Sequence, residues 1–101
     1  MSNTTVTLAQ AVMSERVAKI LRDMGATAPH APVRGVQEWV VDNRAVGTGA
    51  AFGVVRVSLR TGKLVDYSIR FENGRDLWTG STVRDLRAAA VRFVVAQSRA
   101  A

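Results

Sequence analysis

Residues 54–71 read VVRVSLRTGKLVDYSIRF, and this stretch decides the fold. Both halves alternate apolar and polar residues, as strands do when one face is buried and the other meets water. The apolar positions are Val55, Val57 and Leu59 in the first half and Val65, Tyr67, Ile69 and Phe71 in the second. The residues between the halves, Arg-Thr-Gly-Lys, suit a tight turn. The stretch therefore predicts an antiparallel hairpin with one apolar face.

The turn of this hairpin determines which side chains lie opposite each other. A loop of two residues would place apolar side chains opposite polar ones, because a shift of one residue exchanges the two faces of a strand. A left-handed Gly62 in a G1 bulge shifts the pairing by one residue and keeps the apolar face intact. The sequence therefore predicts a bulge at Gly62, with Val57 opposite Val65 and Val55 opposite Tyr67.

The sequence before the hairpin predicts a helix and a strand. Residues 36–42 (VQEWVVD) are rich in β-branched and aromatic residues, which favours a first strand. Residues 7–24 repeat apolar residues at helical spacing, which predicts an amphipathic helix. Thr7 and Gln10 have the spacing of a capping box at its start, and Gly25 supplies the left-handed residue that ends it.

A second helix follows the hairpin. Apolar residues return to helical spacing from Val83 onward, and Thr82 with Asp85 forms the predicted capping box. Between the last strand and this helix, Leu77 and Trp78 are predicted to cover the core.

These elements follow the order helix, strand, strand, strand, helix. Short connections imply an antiparallel meander, and two amphipathic helices must bury their apolar stripes on one face of that sheet. We therefore expect an α+β fold, a two-layer sandwich of a three-stranded antiparallel meander and two helices (α-β-β-β-α). The 101 residues are predicted to form one domain, residues 1–101, with a flexible N-terminus at 1–6 and a Pro-containing linker at 26–33.

Composition argues against most catalytic functions. The chain has no cysteine, and its one histidine, His30, lies between two prolines without a nearby carboxylate. Carboxylates occur singly, and no serine lies in a nucleophile motif. We therefore predict that the protein is not an enzyme and has no catalytic residue, cofactor or metal. Without a signal-peptide pattern or a spanning apolar run, we expect a cytoplasmic location and no membrane partner.

The charge of the chain favours polyanionic partners. Fourteen basic residues against eight acidic ones give a net charge of +6, and twelve of the basic residues are arginine. The planar arginine fork suits phosphates and guanine edges. The same arginine excess also fits the base composition of a GC-rich genome, such as that of a bacterium or its phage.

An arginine stripe on the second helix is the first candidate site. Arg84, Arg92 and Arg99 share the outward side of this helix at the 3.6-residue period, and Arg75 lies on the preceding turn. These four residues are the predicted contacts to DNA or RNA. If about three phosphates are neutralised, log affinity falls against log salt with a slope of roughly −3. The first hypothesis is therefore a small non-enzymatic nucleic-acid-binding module, an accessory or regulatory protein.

Other surfaces favour a protein partner instead. Val91 and Val95 flank the arginine stripe and would be exposed in a monomer, which suits a protein interface or a homodimer. The outer face of the sheet is predicted to carry Arg56, Arg60 and Arg70. The second hypothesis is therefore a protein-interaction module, such as a compact inhibitor or adaptor encoded by a phage or another mobile element.

Overall fold

In the part of the chain that the structure describes, an antiparallel sheet forms one layer and two helices form the other. The computed structural model describes residues 13–44 and 50–100, with side chains in the second range as far as Gln97. Within these ranges the α-helices and strands are α1 (Glu15–Asp23), β1 (Val36–Asp42), β2 (Phe52–Ser58), β3 (Leu64–Phe71), β4 (Asp76–Gly80) and α2 (Val83–Ala100). The strands are neighbours in the order β1-β2-β3-β4, each antiparallel to the next. The predicted α+β class is confirmed.

The prediction of three strands is wrong, because a fourth strand follows the hairpin. The turn before it contains Asn73 and Gly74, whose φ angles of 58° and 94° are the positive values that a type I′ turn requires. The chain then returns along β3, with Ile69 opposite Trp78. Trp78 packs against the core, whereas Leu77 lies on the opposite face of the sheet and is 46% exposed. The prediction that Leu77 covers the core is therefore wrong.

Two irregularities set the register of β2 and β3. Gly62 has a φ of 72°, and both it and the next residue hydrogen-bond to the backbone of Ser58, so the predicted bulge is confirmed. A second shift follows at Val65, which the pairing skips, so that Val57 lies opposite Leu64. The predicted pair of Val57 and Val65 is therefore wrong, whereas the other predicted pair is present.

Helix α1 is shorter than predicted. The hydroxyl of Ser14 accepts a hydrogen bond from the N–H of Val17, so Ser14 is the cap and the helix begins at Glu15. Gly25, with a φ of 66°, follows its end as predicted. The predicted caps Thr7 and Gln10 and the predicted flexible N-terminus, residues 1–6, lie outside the described residues.

The predicted linker, residues 26–33, runs beside β1 and covers its edge. Backbone hydrogen bonds in both directions join Thr27 to Val40. The buried side chain of Gln37 donates from Nε2 to the carbonyl oxygen of His30 at 2.9 Å. Prolines lack the N–H that would extend a sheet further, so the two prolines of the linker discourage pairing with another strand at this edge.

One cluster of buried side chains joins the two layers. It contains residues from both helices and from one face of the sheet, so both helices pack on the same face as predicted. Trp39, Phe71 and Phe93 are its largest fully buried side chains. Strands β2 and β3 approach closely at Gly53, where a Cβ would lie 2.1 Å from the carbonyl oxygen of Ser68.

Candidate interaction groove between the helices

Arg92, one of the predicted nucleic-acid contacts, is held by the molecule itself. The central carbon of its guanidinium lies 4.3 Å from the ring centroid of Phe71 and 5.1 Å from that of Trp78. The same guanidinium donates hydrogen bonds to Asp76 at 2.6 Å and to Glu72 at 3.4 Å. These five residues form the Arg92 cluster, in which the side chain of Arg92 is 30% exposed. The prediction that Arg92 faces solvent on an open stripe is therefore wrong.

The Arg92 cluster joins α2 to the β3–β4 hairpin. The hydrogen bond from Arg92 lowers the pKa of Asp76 below its ordinary value, and the Nε1–H of Trp78, 3.3 Å from the same carboxylate, adds to this effect. Phe71 and Trp78 contact each other edge to face, with centroids 5.4 Å apart. Because two carboxylates surround one guanidinium, the cluster presents no excess of positive charge to a phosphate.

The other predicted nucleic-acid contacts do not form one patch. Arg84 lies exposed on the first turn of α2, and Arg75 lies exposed in the turn before β4, next to the Arg92 cluster. A distance of about 12 Å along the helix axis separates Arg84 from Arg92. Neither Arg75 nor Arg84 forms an ion pair with the described residues. The side chain of Arg99 lies outside the part of the chain that the structure describes.

Arginines on the outer face of the sheet, the predicted alternative interface, are also engaged. Arg56 forms a bidentate pair with Asp66 opposite it on β3, and this contact lowers the pKa of Asp66. Arg70 donates to the carbonyl oxygen of Gly74 at 3.3 Å. Arg60 lies in the turn after β2, since that strand ends before it, so its predicted place on the strand is wrong.

A groove of about 580 Å³ runs between α1 and α2, along the flank of α2 that faces away from the Arg92 cluster. Its α2 wall consists of Ala90, Val91, Val94 and Val95, with Arg87 at the rim. Positions i, i+1, i+4 and i+5 of a helix lie side by side along one flank, which explains this wall. Val91 is 60% exposed and Val95 is 43% exposed, so the prediction that both valines face solvent is confirmed.

The α1 wall of the groove is formed by residues that were not predicted to belong to a binding site. Arg16, Lys19, Ile20 and Asp23 lie at i, i+3, i+4 and i+7, the spacing of one helix face. Ile20 is buried and supplies apolar floor, whereas the charged residues are exposed at the rim. The signal that would have found them is this spacing, considered together with the exposed valines of the second helix.

Positive charge dominates the rim of the groove. Lys19 pairs with Asp23 at 3.1 Å, and both side chains remain more than half exposed. Arg16 and Arg87 form no ion pair within the described residues. Among the residues that the structure describes, the rim therefore has three cations and one carboxylate around an apolar floor. Such a border suits a ligand that is apolar at its centre and acidic at its edges.

The groove offers a ligand apolar contact and charge, since the described residues of its lining include no histidine, serine or tyrosine. In residues 13–44 and 50–100, no three His, Asp or Glu side chains are grouped so that they could hold a metal ion. Over the same ranges, none of the helices has both the length and the apolar character needed to cross a membrane. Comparison of the chain with protein-family models, curated proteins and solved structures gives no match.

Proposed function

We propose that this protein is a small non-enzymatic protein-interaction module that binds its partner in the groove between α1 and α2. The observation that carries the proposal is the exposure of Val91 and Val95 beside a concave apolar floor. Single exposed valines are common on protein surfaces, but neighbouring ones at the edge of a concavity are typical of binding sites. An adaptor or a compact inhibitor would use such a surface.

The placement of the arginines supports a protein partner over a nucleic acid. Arg92 pairs with two carboxylates instead of facing solvent. The flank that remains open on the same helix is mainly apolar, and a protein partner gains about 25 cal/mol for each Å² of apolar surface that it covers there. A phosphate backbone gains its affinity from charge neutralisation and not from covering valines.

Affinity capture with matched variants tests this function. The tagged 101-residue chain is incubated with nuclease-treated lysate of its native host cell, beside a double variant with Val91→Ser and Val95→Ser. We expect the double variant to lose the captured partners and Leu77→Ser to keep them, because Leu77 is 46% exposed on the other face of the sheet. Equal capture by the variants and the unchanged chain, or no capture at all, would contradict the proposal.

Nucleic-acid binding is the second candidate function. The observation that favours it is the net charge of +6 together with the exposed Arg75 and Arg84. These side chains would contact the phosphates of DNA or RNA without sequence preference. Affinity for a duplex should fall steeply as salt rises, and Arg84→Ala should reduce the magnitude of the log–log slope by about one. Absence of binding to both DNA and RNA at low ionic strength would exclude this function. For either function, a cytoplasmic location stays a prediction.

A further inference from the structure

We infer that the occupant of the groove is an amphipathic helix with acidic flanks, supplied by another protein. This inference rests on the proposed function and names the class of its partner. The size of the groove, the arrangement of its apolar residues and the charge of its rim all favour this occupant.

The groove has the dimensions of a short helix. Helix α1 has 9 residues and is therefore about 14 Å long. A third helix lying along α1 and α2 would contact them over roughly two to three turns, with apolar residues at i, i+3, i+4 and i+7 facing the groove. Ile20, Ala90 and Val94 would meet the centre of that apolar stripe, and Val91 and Val95 would meet its edge.

The rim decides which charges such a helix carries. Arg16 and Lys19 border the groove on the α1 side and Arg87 borders it on the α2 side, while Asp23 is the one carboxylate among the described lining residues. Glutamates or aspartates on both sides of the partner's apolar stripe would pair with these cations. Lysines at the same positions would meet like charge, so the groove selects against a basic amphipathic helix.

A second copy of this chain fits the groove less well. A symmetric interface brings each patch against itself, so the cations of the two rims would face one another. An anionic membrane also fits less well, because a flat surface does not reach a concave floor and Asp23 would oppose its headgroups.

Binding of designed peptides to the 101-residue chain, measured by fluorescence anisotropy, tests the inference. The first probe is a helical peptide of about four turns with leucines along one face and glutamates on both sides of them. A second probe has lysine in place of every glutamate, and a third has the composition of the first in scrambled order. We expect the acidic probe to bind at least about tenfold more tightly than the other two, with a difference that shrinks as salt is added.

Variants of the rim and the wall provide the controls. Arg16→Glu combined with Arg87→Glu should reverse the preference between the acidic and the lysine probe, and both positions are exposed, so the core is untouched. Val91→Ser combined with Val95→Ser should weaken binding of the acidic probe about tenfold. Leu77→Ser, on the other face of the sheet, should leave the affinity for the acidic probe unchanged.

The outcomes separate this inference from the proposed function. Equal affinity for the acidic and lysine probes, or a preference that survives charge reversal of the rim, overturns the inference. If no peptide binds while the valine double variant still loses its captured protein partners, the proposed function stands and the helical partner is wrong. A dimer in sedimentation that the valine variant dissociates, or binding to anionic lipid vesicles without binding to the acidic probe, also overturns it.

Discussion

The two flanks of helix α2 differ in how their arginines are placed. On the flank that faces β4, Arg92 stacks on two aromatic rings and pairs with two carboxylates. On the flank that faces α1, Arg87 borders an apolar groove and forms no ion pair within the described residues. The first flank is closed, because its charge and its aromatic surface cover each other, whereas the second leaves both charge and apolar surface open.

This difference shows which arginines can act on a partner. To reach a phosphate, Arg92 would have to leave Phe71, Trp78 and its carboxylates, so its contacts serve to hold α2 against the β3–β4 hairpin. Arg87 gives up no such contact when it pairs with a new carboxylate. Arg92 and Arg87 contribute equally to the net charge, although of these two only Arg87 can pair with a new carboxylate without giving up contacts of its own.

Phe93 lies between the two flanks of α2, and its substitution is expected to lower the stability of the fold more than the other substitutions do. Its side chain is fully buried under α2. Phe93→Ala should lower the free energy of unfolding by about 3–5 kcal/mol, because it removes buried apolar surface and leaves a cavity. Urea denaturation followed by circular dichroism measures this loss. A loss below about 1 kcal/mol would contradict the packing of α2 on the sheet.

Arg92→Ala is expected to have the next largest effect. The substitution removes the stacking on Phe71 and Trp78 and leaves the carboxylates of Glu72 and Asp76 without their shared cation. We expect the free energy of unfolding to fall by about 1–2 kcal/mol, the size of a partly desolvated cation–π contact with some lost packing. Denaturant titration of the purified variant gives this value directly.

Arg84→Ala is the matched control on the same helix. Arg84 is exposed and has no ion pair within the described residues, so its removal should change stability by less than about 0.5 kcal/mol. Arg92→Lys keeps the charge but lacks the planar guanidinium, and its stability should lie between those of the unchanged chain and Arg92→Ala. Equal losses of unfolding free energy for Arg92→Ala and Arg84→Ala would show that the contacts of Arg92 do not stabilise the fold.

Local sequence explains the parts of the fold that could be predicted. The bounds of β1, Val36–Asp42, agree with the prediction because VQEWVVD combines strong strand propensity with clear ends. Gly25 and Gly62 have the positive φ angles that their positions require. Thr82 accepts a hydrogen bond from the N–H of Asp85, as the predicted helix cap does. Each of these features depends on residues close together in the chain.

Contacts between residues that are distant in the chain explain why other features of the fold and the site were predicted wrongly or missed. Strand β4 was missed because Asp76–Gly80 is short and ends in glycine, although Asn73 and Gly74 before it indicate a hairpin. The position of Arg92 depends on rings and carboxylates of that hairpin, which the periodicity of α2 does not contain. The exposure of Val91 and Val95 was predicted from periodicity and is confirmed. The groove beside them was not predicted, because the packing of α1 next to the valines is a tertiary contact.

Acid should weaken the closed flank. Contact with Arg92 lowers the pKa of Asp76, so this carboxylate stabilises the fold at pH values above its unfolded pKa, near 3.8. The stabilisation is lost as pH falls through the lower folded value. We therefore expect Asp76→Asn to be less stable than the unchanged chain at neutral pH, by less than Arg92→Ala, and the gap to close in acid.

Urea titrations at a series of pH values measure this gap. Other carboxylates with a lowered pKa, such as Asp66, are present in both proteins and cancel in the difference. The matched substitution on the open flank is Asp23→Asn, where an exposed pair with Lys19 contributes little to stability. A gap for Asp76→Asn that stays constant from neutral pH into acid would show that its carboxylate gains nothing from Arg92.

Substitutions of the exposed valines on the open flank should hardly change the stability of the fold. Val91→Ser combined with Val95→Ser should change the free energy of unfolding by no more than about 0.5 kcal/mol, because Val91 is 60% and Val95 43% exposed and serine and valine have similar helix propensities. Thermal denaturation compared with the unchanged chain checks this. Apolar residues that add nothing to folding but are required for binding serve a contact with another molecule. A loss comparable to that of Arg92→Ala would instead assign the valines to the protein's own packing and make both flanks of α2 structural.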